Sequence, residues 1–310
     1  MTSTKRLIAI ISVFALVLAA CGGGEGGDTT TTAAAETTTT AGETTTTAGE
    51  EPTTTADDMA LPDLGGITVT VGVENAYLPY NYIPVGETEG TGWDYEAWEA
   101  ICELLNCVPE FIEAGWPQVI DQVAAGEIDT AADGISINAE RQEIVDFSDP
   151  YMVVTQKFIV QLDDDRYATA QDLIDDTDAT IATQVATTNF TLAVALVGED
   201  RIQAFDQFAL AIQALIAGDV DAVIIDDSAG LGYIGENKES IKTIDDPLQS
   251  DPLGFIYPIG SDLVDPVNQA IAELQSNGTF EELGVKYFGP DFNVGYCDEN
   301  GEPLIENTEC

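Results

Sequence analysis

The chain has 310 residues, of which 56 are Asp or Glu, 9 are Lys or Arg and none is histidine, for a formal charge of −47. Nucleic acid is excluded as a partner, because a phosphate backbone is held by clustered basic side chains that this chain lacks, and histidine-based catalysis and histidine metal sites are excluded outright. A hydrophobic content of 45% is that of an ordinary globular protein, so the acidity does not signal wholesale disorder and a core is expected.

The N-terminus opens with Lys5-Arg6 and an uninterrupted apolar or small run from Leu7 to Ala20. This is the layout of an export signal, and the run is too short to span a bilayer comfortably. It ends in Leu18-Ala19-Ala20-Cys21-Gly22, which resembles the lipobox of bacterial lipoproteins. That resemblance implies removal of residues 1–20 and a lipid on Cys21, with the protein held at the outer face of the cell membrane. An ordinary signal peptide followed by an incidental cysteine is the alternative. Residues 21–66 begin with loose Gly, Thr, Ala and Glu repeats such as Thr37-Thr38-Thr39-Thr40-Ala41-Gly42-Glu43, which carry no periodic apolar face and are expected to form a solvated tether.

With Cys21 set aside, four cysteines remain in an exported chain. Two local disulfides are expected, Cys102–Cys107 at a helix end and Cys297–Cys310 in a C-terminal tail over 291–310. A metal site on Cys102 and Cys107 is the rival, but no histidine or nearby third thiol completes it. No metal or cofactor is expected.

From Ile67 onward, strands alternate with amphipathic helices, which predicts an α/β fold. Ile67 to Val73 alternates as a strand. Asp94 to Asn106 places Ala97, Trp98, Ile101, Leu104 and Leu105 on one helical face. Val119, Ile120, Val123 and Ala124 mark a second helix, stopped by Gly126, and Ile128 to Ala132 starts another strand. A repeat follows: Ala125-Gly126-Glu127-Ile128-Asp129-Thr130 recurs as Ala217-Gly218-Asp219-Val220-Asp221-Ala222. Each copy delivers a carboxylate a few residues on, Asp133 in one and Asp226 in the other. Two related lobes are implied, with both acids near the carboxyl ends of strands, where open α/β sheets bind ligands.

No basic residue lies between Arg6 and Arg141, so any fixed positive charge in that half must come from Arg141. Its guanidinium is a planar fork that matches a carboxylate in two parallel bonds. Asn138 is expected to cap a helix whose first turn holds Arg141. A surface arginine paired with one of the many acids is the plain alternative.

Four stretches carry a resemblance to the family-3 extracellular solute-binding proteins, the amino-acid receptors of ABC importers. They are Gly72-Val73-Glu74-Asn75-Ala76-Tyr77-Leu78-Pro79-Tyr80, Gly92-Trp93-Asp94-Tyr95-Glu96, Ile135-Ser136-Ile137-Asn138-Ala139-Glu140-Arg141 with Val145-Asp146-Phe147-Ser148-Asp149-Pro150-Tyr151, and Asp221 to Asp226. The stretches Asn277 to Phe280 and Lys286 to Gly289 resemble the family's ending. The resemblance implies a periplasmic-binding-protein-like fold of two lobes, each a mixed sheet flanked by helices, joined by two hinge strands. Lobe 1 is expected over 67–157 plus 250–290 and lobe 2 over 158–249.

The resemblance also implies roles. Arg141 and Ser136 match the family positions that hold a ligand's α-carboxylate, with Thr187 and Thr188 completing it from lobe 2. Ala186 stands where the family has glycine, a position strained for alanine if φ is positive. Asp226 matches the acceptor of the α-ammonium group, with Asp227 pointing away if both lie in a strand. Tyr77 and Trp116 match the aromatic pair around the ligand side chain, and Glu74, Asp133 and the adjacent Gly134 line its pocket. Two acids beside two π faces favour a cation, so the expected ligand is a basic amino acid: arginine, lysine, ornithine or histidine. The protein is then expected to be a monomeric receptor that hands its ligand to an ABC permease. A dehydratase-like enzyme on the same scaffold and a ligand-binding sensor are the alternatives.

Overall fold

The computed structural model describes residues 60–289. The expected signal segment, the lipidated Cys21, most of the tether and the Cys297–Cys310 pair lie outside the described residues. Within the span expected to be tether, Leu61 and Leu64 pack against the core, and the Leu64 N–H donates to the Leu105 carbonyl at 2.8 Å. The folded part therefore begins upstream of residue 67.

Strand β1 (Ile67–Val73) alternates as its sequence demands, with Val69, Val71 and Val73 turned inward. A small ribbon follows, β2 (Ala76–Tyr77) and β3 (Asn81–Tyr82). Helix α1 (Trp93–Leu105) buries Trp93, Ala97, Trp98, Ile101 and Leu105 along one stripe and stops where Asn106 turns left-handed at φ 54°. Cys102 on its last turn and Cys107 at the start of β4 (Cys107–Glu113) have their sulfurs at bonding distance. Helix α2 (Gln118–Ala124), β5 (Thr130–Ala131) and β6 (Asp146–Phe147) complete this run.

Strand β7 (Met152–Gln161) then leads to α3 (Ala170–Asp175), β8 (Ile181–Gln184), α4 (Thr188–Val197), β9 (Ile202–Phe205), α5 (Phe208–Ala217), β10 (Ala222–Asp226), α6 (Asp227–Glu236), β11 (Ile241–Thr243) and β12 (Gln249–Leu253). The chain closes with β13 (Ile256–Tyr257), α7 (Val264–Ser276) and α8 (Thr279–Phe288). Both α7 and α8 pack on α1.

Two mixed sheets result. The first runs β4-β1-β5-β13-β6 and the second β9-β8-β10-β7-β11, with β12 also paired to β7. In each, three parallel strands are ordered second, first, third in chain order, and an antiparallel strand joins the third. The repeat seen in the sequence is thus a repeat of topology. Gly126 and Gly218, at φ 72° and 78°, end the equivalent helices α2 and α5 in a conformation that costs glycine little.

The chain passes between the sheets through β7 and β12, which are antiparallel neighbours in register from Gln156↔Gln249 to Met152↔Leu253. The Gln156 amide donates to Asp251 across this pair at 2.6 Å. The first sheet packs against an aromatic cluster in which Tyr151 stacks on both Trp93 (4.8 Å) and Phe255 (4.4 Å). A second cluster of Phe158, Leu173, Ile181, Ala193 and Ile224 supports the far face of the second sheet.

Candidate functional site

All ten residues singled out in the sequence line one cavity. Glu74, Tyr77, Trp116, Asp133, Gly134, Ser136 and Arg141 come from the side of the first sheet, and Thr187, Thr188 and Asp226 from that of the second. The empty space among these residues, counted out to open solvent, is about 310 Å³. Gln184, Asn189 and Phe208 also line it, and the sequence had not pointed to them.

The strand ends do the positioning. Glu74 follows β1, Asp226 ends β10 and Gln184 ends β8, so the cavity sits at the carboxyl edge of both parallel sets. Asp226 and Asp227 do not share a strand. Asp227 begins α6 and its Oδ1 accepts from the backbone N–H groups of Thr155 and Ser228, which removes it from the cavity. Gly134 has φ 56°, and a Cβ there would lie 2.6 Å from the Tyr77 ring. Glycine lets the edge of that ring come close to the backbone.

Arg141 corrects one expectation. Asn138 Oδ1 does accept its backbone N–H at 2.9 Å, but the segment makes only a 3₁₀ turn over Arg141–Glu143. No α-helix dipole acts there. The guanidinium donates to the Ser136 carbonyl at 2.9 Å and the Ala186 carbonyl at 3.5 Å, and it lies 5.0 Å over the Trp116 ring. Among the described residues no ion pair involves Arg141. Burial lowers its pKa to about 10, partly offset by Asp226 and Asp251. A guanidinium carries five N–H donors, so three remain for a ligand.

On the opposite wall Thr187 caps α4, its hydroxyl accepting the Phe190 N–H at 3.0 Å. Ala186 before it has φ 57°, the strained left-handed conformation that the sequence raised as a concern. The two sides meet at several points. Ser136 and Thr188 hydroxyls are 3.2 Å apart, Trp116 Nε1 donates to the Val185 carbonyl, and Tyr77 donates its hydroxyl proton to Asp226 at 2.8 Å. Tyr77 itself stacks between Tyr80 (5.2 Å) and Phe208 (5.5 Å). A second hollow shares Arg141, Thr187 and Thr188 with the cavity and continues past Asn138 and Thr191.

The acids divide into two groups. Asp226 is 2% exposed, and burial raises its pKa to about 6 despite bonds from Asn189 and Tyr77. Its carboxylate keeps lone pairs for a further donor. Glu74 and Asp133 form a buried pair. Desolvation pushes both upward, the neighbouring Asp133 charge pushes Glu74 further, and bonds from Gln184 and Asn81 oppose the shifts. Three acids against one guanidinium leave the cavity short of positive charge. Among the described residues no group of three or more Asp, Glu or Cys side chains is arranged to hold a metal, and no helix is long and apolar enough to cross a membrane.

The model of bacterial extracellular solute-binding proteins, family 3, matches residues 69–290. The L-cystine-binding protein TcyA of Bacillus subtilis is 25% identical over 225 residues, covering 72% of this chain and 82% of its own length. The arginine-, lysine-, histidine-binding protein ArtJ of Geobacillus stearothermophilus shares the fold at a TM-score of 0.66 and 30% identity, over 72% of this chain and 95% of that one. An ancestral amino acid-binding protein described as a precursor of cyclohexadienyl dehydratase matches at a TM-score of 0.66 and 29% identity, over 71% of this chain and 95% of that one.

Proposed function

The chain belongs to the family-3 bacterial extracellular solute-binding proteins, and from that premise we propose that it captures a basic amino acid outside the cytoplasm and delivers it to an ABC permease. The observation that carries this is Arg141, buried in the cavity with donors to spare and, among the described residues, no carboxylate paired to it, facing Asp226 across the same space. A zwitterion satisfies both ends. Its α-carboxylate takes the Arg141 fork together with Ser136, Thr187 and Thr188, and its α-ammonium takes the free lone pairs of Asp226. A second positive charge on the ligand pairs with Glu74 and Asp133, so a cationic side chain uses every charge in the cavity. Trp116 supplies an aromatic wall, while Tyr77, its ring faces against Tyr80 and Phe208, orients Asp226 through its hydroxyl. The similarity to ArtJ, an arginine-, lysine-, histidine-binding protein, supports the same ligand class.

In this proposal the lobes, 67–157 plus 250–290 and 158–249, close over the ligand by flexing at β7 and β12. The protein works as a monomer, without catalysis. Cleavage before Cys21 and lipidation of its sulfur anchor the protein to the membrane, with the Thr-rich tether holding the lobes above it. Titration calorimetry of the full chain with a panel of amino acids tests the ligand. Binding of arginine or lysine at one site per chain, with no chemical change in the ligand, is the expected result. Conversion of a cyclohexadienyl substrate, or no affinity for any amino acid, would refute the proposal.

A further inference from the structure

The side-chain end of the cavity contains a residue that neither the sequence motifs nor the comparisons assign. Gln184, at the end of β8, is 2% exposed and lines the cavity. Its amide Nε2 donates at 2.9 Å to Glu74 Oε1, which belongs to the other sheet, and at 2.9 Å to the Asp206 carbonyl. An amide nitrogen has two protons, and both are spent. The orientation is fixed, because turning the amide over would set its oxygen against a carboxylate oxygen and a carbonyl oxygen. Only the acceptor of Gln184 remains to meet a ligand.

The same thing happens behind Asp133. Asn81 is fully buried, and its amide donates to Asp133 Oδ1 at 2.8 Å and to Asp94 Oδ2 at 2.9 Å, while its oxygen accepts the Asn75 N–H. Asp133 Oδ2 stays buried with no hydrogen-bond partner among the described residues. Two amides, one from each side of the cleft, thus direct their protons at the acids and keep them from the ligand. With a cation bound and both acids ionised, what faces the ligand side chain is Gln184 Oε1, Asp133 and the remaining lone pairs of Glu74, all acceptors.

We infer that Gln184 is a specificity-determining residue that, with Glu74 and Asp133, makes the end of the cavity a wall of acceptors selecting side chains that end in several N–H donors and no acceptor. A guanidinium or ammonium fits this wall. A carboxamide or ureido group does not, since its oxygen would face another oxygen, and leaving buried polar atoms opposed is what separates ligands of equal size. This inference rests on the amino-acid-receptor function proposed above and narrows its ligand class.

The test compares arginine with citrulline, which has the same shape but carries a ureido oxygen in place of one guanidinium nitrogen. Lysine and glutamine complete the panel, titrated into the wild-type full chain and into Gln184→Met, which keeps length and removes both polar atoms. Wild type should prefer arginine or lysine to citrulline and glutamine by about 100-fold or more, and Gln184→Met should narrow the preference over citrulline by about tenfold, the worth of one hydrogen bond to a charged group. Gln184→Leu serves as the second variant, and each variant's melting temperature shows that it is folded. A ratio unchanged within about twofold in both folded variants overturns the inference while the receptor function stands. So does a wild-type protein that prefers citrulline or glutamine. A wild type with no affinity for any amino acid overturns both.

Discussion

Replacing Arg141 by alanine is the most direct test of how the cavity holds its ligand. Two of the guanidinium's five donors are committed to the carbonyls of Ser136 and Ala186, which leaves enough for a two-pronged grip on a carboxylate. Each hydrogen bond between charged groups contributes about 1.5–3 kcal/mol, so losing two costs about 3–6 kcal/mol, or roughly 10²- to 10⁴-fold in arginine affinity. A loss of that size could also follow if Arg141 merely props the cleft open or shut. Agmatine, which is arginine without its carboxylate, separates the two explanations. It cannot use the fork, so Arg141→Ala should leave its affinity unchanged or improve it, because a like charge has been removed from the cavity. Calorimetry of both ligands against both proteins closes a double-mutant cycle. If agmatine weakens as much as arginine, Arg141 is a structural residue and the carboxylate assignment is wrong.

Asp226 gives a prediction in pH. Burial raises its pKa from 3.8 to about 6, so between those values the folded state holds a proton that the unfolded chain has released. Ligand-free stability contributed by this group therefore falls as pH rises from about 4 to about 6, by on the order of 3 kcal/mol in all. Asp226→Asn should show a shallower decline, the remainder coming from Glu74, Asp94 and Asp133, whose pKa values burial also raises, and should bind amino acids at least tenfold more weakly; thermal melts from pH 4 to 7 that show the full wild-type slope in the variant would contradict the burial argument. Ala186→Gly relieves a left-handed alanine at φ 57° and should raise stability by up to about 1 kcal/mol in urea unfolding, after the larger entropy of the unfolded glycine is counted. A loss of more than that would mean that the alanine methyl group makes a packing contribution larger than its backbone strain.

Much of the molecule was legible because its signals are local. The alternation of Ile67 to Val73, the apolar stripe of α1 and the two glycine-ended helices each reflect a conformation that the residues choose for themselves. The ten cavity residues converge because most of them sit in turns just beyond strand ends, where the motif fixes the backbone and the sheet fixes the place. Short strands such as β6 and β13 have two residues each, too few for any period to show. Gln184 was invisible for another reason. It lies in a strand four residues long whose every residue is buried, so no alternation marks it, and its partner Glu74 is 110 residues away. Phe208 reads as core from its helix, and it is core, but it also lines the cavity. The expected helix at Arg141 failed because a single capped turn has no apolar stripe with which to continue.

The position of β13 bears on the order in which the protein can be made. It lies between β5 and β6 in the first sheet and is the partner of both, yet it is synthesised after every strand of the second sheet. Until Ile256 and Tyr257 emerge, β6 has no neighbour and the edge of β5 is bare. The second sheet, by contrast, is drawn from one continuous stretch and can assemble as a unit. The half of the molecule that begins first is therefore finished last, and a chain interrupted before residue 256 would carry a complete second sheet attached to an unfinished first.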